Sequence, residues 1–137
     1  RRGLFTSRQG IGVADYMSVA NDHTLLIVLI EDIVAVENLD QILEVDHIDV
    51  FFVAPSDLAA RMGLIGQLDH PQVRTTIDET LARIQKRGRV AGTLANNENV
   101  GRYSAAGVRC LLTSTAPWLA AGARGFLDRS EAARGGE

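Results

Sequence analysis

A single cysteine, Cys110, among 137 residues rules out an intramolecular disulfide, so packing rather than cross-linking must hold this chain together. The thiol sits in an apolar run and reads as a small buried core residue, and its isolation suits a reducing, cytoplasmic setting. Basic charge is not in excess: 14 Lys and Arg face 17 Asp and Glu, net −3, and they are scattered, so no basic stripe argues for nucleic acid. No apolar run approaches the ~20 residues of a membrane helix, and no signal-peptide pattern opens the chain, so no membrane association is expected. Gly10-Ile11-Gly12 lacks the preceding strand and third glycine of a dinucleotide loop. What is present is a 46% hydrophobic, 23% charged composition, enough for one globular domain with a real core.

The most informative stretch is Leu25 to Asp57. Leu25 to Ile30 is an unbroken apolar run followed by Glu31, and Ile48 to Val53 is another, followed by Ala54-Pro55-Ser56-Asp57. Continuous apolar runs suit strands covered on both faces, and Ile33 to Val45 between them reads as a crossover helix, making a parallel βαβ unit. Residues just past the two strands emerge on one edge, so Glu31 and Asp57 can meet. Two converging carboxylates repel unless one is protonated or a cation lies between them. With no His or Cys beside them, these oxygen donors suit Mg²⁺ or Mn²⁺, with Co²⁺ as a further option. The alternative is structural: Glu31 caps the following helix and Asp57 N-caps a short turn over Leu58 to Met62.

Before this unit, Leu4 to Gly12 reads as a polar loop and Ala14 to Asn21 as a short helix. After it, Pro71 to Lys86 has proline in its first turn, Arg-Gly at its end, and apolar Val73, Ile77, Leu81 and Ile84 at helical spacing. Arg89 to Leu94 is a third strand, Asn97 to Ala106 a helix, Val108 to Leu112 a fourth strand, and Ala116 to about Leu127 a last helix before a polar tail. Four βα units are half of a (β/α)₈ barrel, which needs about 250 residues, although an open four-stranded α/β sheet satisfies the same pattern.

Leu29-Ile30-Glu31, Ala35 to Leu43, Val50 to Leu58, Met62-Gly63 and His70 to Val73, in this order and spacing, resemble the HpcH/HpaI aldolase family. The likeness runs from Arg2-Gly3 through Asp15-Tyr16 and Ala20 to Asp22 to the last helix. It implies that residues 1–137 are the carboxy-terminal half of a (β/α)₈ TIM barrel, a single partial domain whose first half lies upstream. It further implies that Glu31 and Asp57 bind a divalent metal, while backbone N–H groups of the turn Ala54-Pro55-Ser56-Asp57 hold the carboxylate of pyruvate or another 2-oxo acid. The chemistry implied is that of a class II aldolase, cleaving or forming 4-hydroxy-2-oxo acids through a metal-bound pyruvate enolate. No Schiff-base lysine is then required, and the only lysine, Lys86, ends a surface helix. Alternatives within and beyond the family are an enzyme of the citrate lyase β or malyl-CoA lyase type and a non-catalytic half-barrel.

The family's base histidine and substrate arginine belong to the first half of the barrel, so no catalytic residue is expected on this chain. His23 and His47 read as surface residues and His70 as a helix cap. The sequence also departs from the family pattern, with Leu29 for Gln, Asp32 for Thr, Ala54 for Gly, and Ser114-Thr115-Ala116 where Gly-Ser-Asp is frequent. In the family the terminal helix is exchanged between subunits, so a homo-oligomer contacting through Trp118 and Phe126 is expected.

Overall fold

A computed structural model describes residues 16–134 of the chain. The candidate loop over Leu4 to Gly12, the Gly10-Ile11-Gly12 motif and the Arg2-Gly3 and Asp15 positions lie outside them. The described elements are α1 (Tyr16–Val19), β1 (Ile27–Ile30), α2 (Ile33–Glu37), α3 (Leu39–Ile42), β2 (Val50–Val53), α4 (Pro55–Arg61), α5 (Pro71–Lys86), β3 (Ala91–Leu94), α6 (Val100–Ala105), β4 (Cys110–Leu112) and α7 (Ala116–Arg134).

The four strands are all parallel and lie side by side in chain order, β1-β2-β3-β4. A doubly wound sheet reverses its strand order at a switch point and puts helices on both faces. Sequential order with crossovers of one hand keeps every helix on one face, as a barrel requires. The structure therefore decides between the two architectures that the hydrophobic pattern allowed, and the fold is that of half a (β/α)₈ barrel.

Side-chain alternation separates the two faces of the sheet. Ile30, Phe51, Val53 and Ala91 pack into one core with Leu39, Leu58, Val73, Ile77, Leu81, Ile84 and Tyr103 of the helices. α5 forms where the spacing predicts: His70 caps it by accepting from the Gln72 N–H, Pro71 opens it, and Gly88 ends the turn beyond it at φ 71°. The opposite, inner face carries Ile27, Leu29, Val50, Phe52, Leu94, Cys110 and Leu112. Gly92 makes that face close-packed, because a Cβ there would lie 2.8 Å from Phe52 Cδ2 and 3.1 Å from Cys110 Cβ.

Several expectations change. β1 is not covered on both faces: Ile27 and Leu29 remain 42% and 55% exposed on the inner face, because among the described residues only the helix side has a partner layer. Cys110, on that same face, is only partly buried. The expected crossover helix over Ile33 to Val45 is two short helices broken at Asn38, whose Nδ2 and backbone N–H both bond to the Val34 carbonyl and end α2. The last helix continues through Arg134 rather than stopping at Leu127, because Asp128 to Arg134 holds no proline or glycine to break it.

Candidate metal and 2-oxo-acid site

At their carboxyl ends Ile30 of β1 stands opposite Val53 of β2, and the Ala54 N–H donates to the Ile30 carbonyl at 3.1 Å. This pairing places the next residues, Glu31 and the Ala54–Asp57 turn, side by side. Glu31, Asp32, Asp57, Ala60 and Arg61 line one cavity of about 420 Å³. The two carboxylates singled out from the sequence are thus brought into one cavity.

The capping roles that competed for these residues fall elsewhere. Asp32, not Glu31, is the N-cap of α2: its Oδ1 accepts from the Val34 N–H at 2.9 Å. Its Oδ2 faces Arg61 Nε at 3.3 Å. Both oxygens of this third carboxylate are therefore engaged. Ala54, not Asp57, is the N-cap of α4 and has no side chain to cap with, while Pro55 fills the first turn where a missing N–H costs nothing. Ser56 and Asp57 stand exposed in that turn, and the helix dipole favours an anion or the Asp57 carboxylate there. Among the described residues, neither Glu31 nor Asp57 makes a hydrogen bond or ion pair through its side chain.

Paired unengaged carboxylates are a hard-oxygen donor set, which fits Mg²⁺ or Mn²⁺. Among the described residues no group of three or more His, Cys, Asp or Glu converges on one point. A cation held here would complete its shell with water and a ligand, as Mg²⁺ ordinarily does. The histidines stay away from the site as the sequence predicts: His23 and His47 are exposed and His70 caps α5. Leu29, two residues before Glu31, points to the open inner face. Arg61 went unnoticed in the sequence, where its spacing of four from Asp57 suggests a pair along the helix; the fold instead turns it to Asp32.

A second group of charges gathers between the middle of α5 and the start of α6. Arg102 Nη1 donates to Asp78 Oδ2 at 2.6 Å, and its guanidinium lies over the Tyr103 ring at 4.5 Å. Burial pushes the Tyr103 hydroxyl above its ordinary pKa, against the lowering effect of the Arg102 charge. On the outer surface Asp40 accepts from Arg87 and Arg83, and the bond from Arg87 leads in holding its carboxyl below the usual range.

A sequential parallel sheet with helices on one face and an acidic pair at its carboxyl edge is the architecture of half a (β/α)₈ barrel, and barrel enzymes carry their sites at that edge. The match to the HpcH/HpaI aldolase/citrate lyase family covers residues 3–110, and the chain belongs to that family. It is 44% identical over 92 residues to a hydroxypyruvate/pyruvate aldolase of Roseovarius nubinhibens, matching 66% of this chain and 36% of that protein. It is 45% identical over 83 residues to a 2-keto-3-deoxy-L-rhamnonate aldolase of Klebsiella pneumoniae, matching 61% of this chain and 31% of that one. A crystal structure of a family member from Burkholderia cenocepacia superposes with a TM-score of 0.77 at 29% identity, over 96% of this chain and 53% of that one. The chain thus spans about a third of the length of these curated relatives and about half of the solved chain. Among the described residues no helix is long and apolar enough to cross a membrane.

Proposed function

We propose that this chain supplies the cation-binding half of a class II aldolase that cleaves or forms 4-hydroxy-2-oxo acids. The observation that carries this is the pair Glu31 and Asp57, lining one cavity with no partner of their own at the carboxyl edge of a barrel-type sheet. Relatives at 44% and 45% identity are named aldolases, whereas the likeness to a citrate lyase structure, at 17% identity, speaks for the fold alone. These names favour the aldolase reading over one of the citrate lyase β or malyl-CoA lyase type.

In this reading Glu31 and Asp57 hold Mg²⁺ or Mn²⁺, which supplies Lewis-acid polarisation of a 2-oxo group and stabilises the negative charge that develops beside it. The N–H groups of Ser56 and Asp57, at the α4 terminus that Ala54 leaves uncapped and Pro55 rigidifies, orient the 2-oxo acid through its carboxylate. Asp32, tied to Val34 and Arg61, stays out of the shell. The base that moves the proton of the 4-hydroxyl, and an arginine that contacts the substrate, come from four further βα units that close the barrel. The working protein is a cytoplasmic homo-oligomer joined through α7.

Aldol cleavage of a 4-hydroxy-2-oxo acid by the closed barrel tests the proposal. Activity with Mg²⁺ or Mn²⁺ that disappears on chelation is expected. Activity that survives chelation would refute the class II assignment, and no cleavage by a cation-loaded, closed barrel would favour a non-catalytic half-barrel.

A further inference from the structure

Asp57 and Arg61 stand four residues apart on α4, a spacing that brings side chains together on one helix face. Among the described residues that pair is not made. Arg61 Nε instead meets Asp32 Oδ2 at 3.3 Å, in the cavity that Glu31 and Asp57 also line. The guanidinium thereby spares the Asp57 carboxylate and takes up the third carboxylate of the cavity.

Asp32 divides its two oxygens between two tasks. Its Oδ1 accepts from the Val34 N–H at 2.9 Å and caps α2, which the hydroxyl of threonine, the family's usual residue at this position, also does. The cap therefore does not call for a carboxylate. Oδ2 is what aspartate adds over threonine, and Oδ2 is the atom that meets Arg61.

The pair also sets the charge and the donor count of the cavity. Three carboxylates and one guanidinium line it, a net charge of −2 that one divalent cation balances. Releasing Asp32 from Arg61 makes a third carboxylate available in the same space. Mg²⁺ demands a near-ideal octahedron, keeps several waters and is held by few carboxylates, whereas the larger Ca²⁺ takes about six to eight oxygens in flexible geometry. A freed Oδ2 is an oriented ligand as long as the Val34 N–H holds Oδ1, because a coordinating carboxylate is fixed by the hydrogen bond on its other oxygen.

We propose that the Asp32–Arg61 pair is a selectivity latch on the cation site: closed, it limits the site to two carboxylates and disfavours Ca²⁺; open, it adds the Asp32 carboxylate and admits Ca²⁺. Both side chains are solvent-exposed, Arg61 by 69% and Asp32 by 40%, so the latch is a weak surface ion pair that opens without unpacking the core. Arg61 and Asp32 are positioning residues in this scheme, which rests on the reading of Glu31 and Asp57 as cation ligands.

Displacement of Mn²⁺ by Mg²⁺ and by Ca²⁺ in the closed barrel, followed by electron paramagnetic resonance, tests the latch. In Arg61→Gln the ratio of Ca²⁺ to Mg²⁺ affinity should rise about tenfold. Asp32→Thr keeps the cap and removes the third carboxylate, so the ratio should stay within about twofold of wild type there, and adding Arg61→Gln to it should leave the ratio in place. Loss of the Arg61 charge alone would tighten both ions alike and would act in the double variant as well. A constant ratio in Arg61→Gln, or an equal rise in the double variant, would overturn the latch, and the cation reading would stand if Asp57→Ala still abolished Mn²⁺ binding. Undiminished Mn²⁺ binding in Asp57→Ala would remove the cation reading and the latch with it.

Discussion

At the residue scale the informative contrast is between three neighbouring carboxylates with different fates. Glu31 and Asp57 are unengaged, whereas Asp32 is held by the Val34 N–H and by Arg61. Glu31→Ala or Asp57→Ala should each abolish divalent-cation binding measured by calorimetry, since one protein oxygen ligand is too few to compete with water for Mg²⁺; unchanged binding in both variants would contradict the assignment. Arg61→Gln should act in the opposite sense. It removes a positive charge from the cavity and frees Asp32 Oδ2, so Mn²⁺ affinity followed by electron paramagnetic resonance should rise by about three- to tenfold. An unchanged or lower affinity would show that Arg61 does not restrain the third carboxylate.

At the scale of the elements, packing on the two faces of the sheet sets the tolerances. Gly92 of β3 lies against Phe52 of β2 and Cys110 of β4, so Gly92→Ala forces its neighbours apart and should destabilise by about 1–3 kcal/mol in urea unfolding. A variant as stable as the wild type would mean that Phe52 swings clear. α6 makes a pH-dependent contribution through Tyr103, which faces Arg102, Asp78 and Arg74. Burial favours its neutral form, so its folded pKa lies above its unfolded one. The stability it contributes is complete below the unfolded value of about 10 and is lost as pH rises through the folded value. The urea midpoint should therefore fall above about pH 10, and fall less steeply in Tyr103→Phe.

At the scale of the whole molecule, uncovered apolar surface dominates. The inner face exposes Ile27, Leu29, Leu94 and Leu112, and β1 and β4 end the sheet with unpaired edges among the described residues. α7 buries none of its residues and exposes Trp118, Leu119, Phe126 and Leu127, with the Trp118 indole donating to Asn97 Oδ1 at 3.0 Å. Residues 1–137 on their own should therefore self-associate or form a molten state; a sharp two-state monomer in ultracentrifugation and calorimetry would show that the open sheet is self-sufficient. In the closed barrel, Trp118→Glu should lower the mass in solution at micromolar concentration, and an unchanged mass would remove α7 from the subunit contact.

Local signals in the sequence were enough for the strands and α5, and for placing Glu31 and Asp57 at one edge. The apolar runs ending at Ile30 and Val53, the Pro71 start of α5 and its Val73-Ile77-Leu81-Ile84 stripe are read from neighbours within a turn or a strand, and the carboxylates stand at positions those elements dictate. The strand order was not local: barrel and doubly wound sheets share the same hydrophobic pattern, and only the pairing of β1 to β4 in sequence separates them. The Asp32–Arg61 pair joins residues 29 apart, so it leaves no periodic trace in the chain. The exposure of β1 escaped the sequence for the same reason: an apolar run records what a strand can bury, and only the layers packed on each face decide what it does bury.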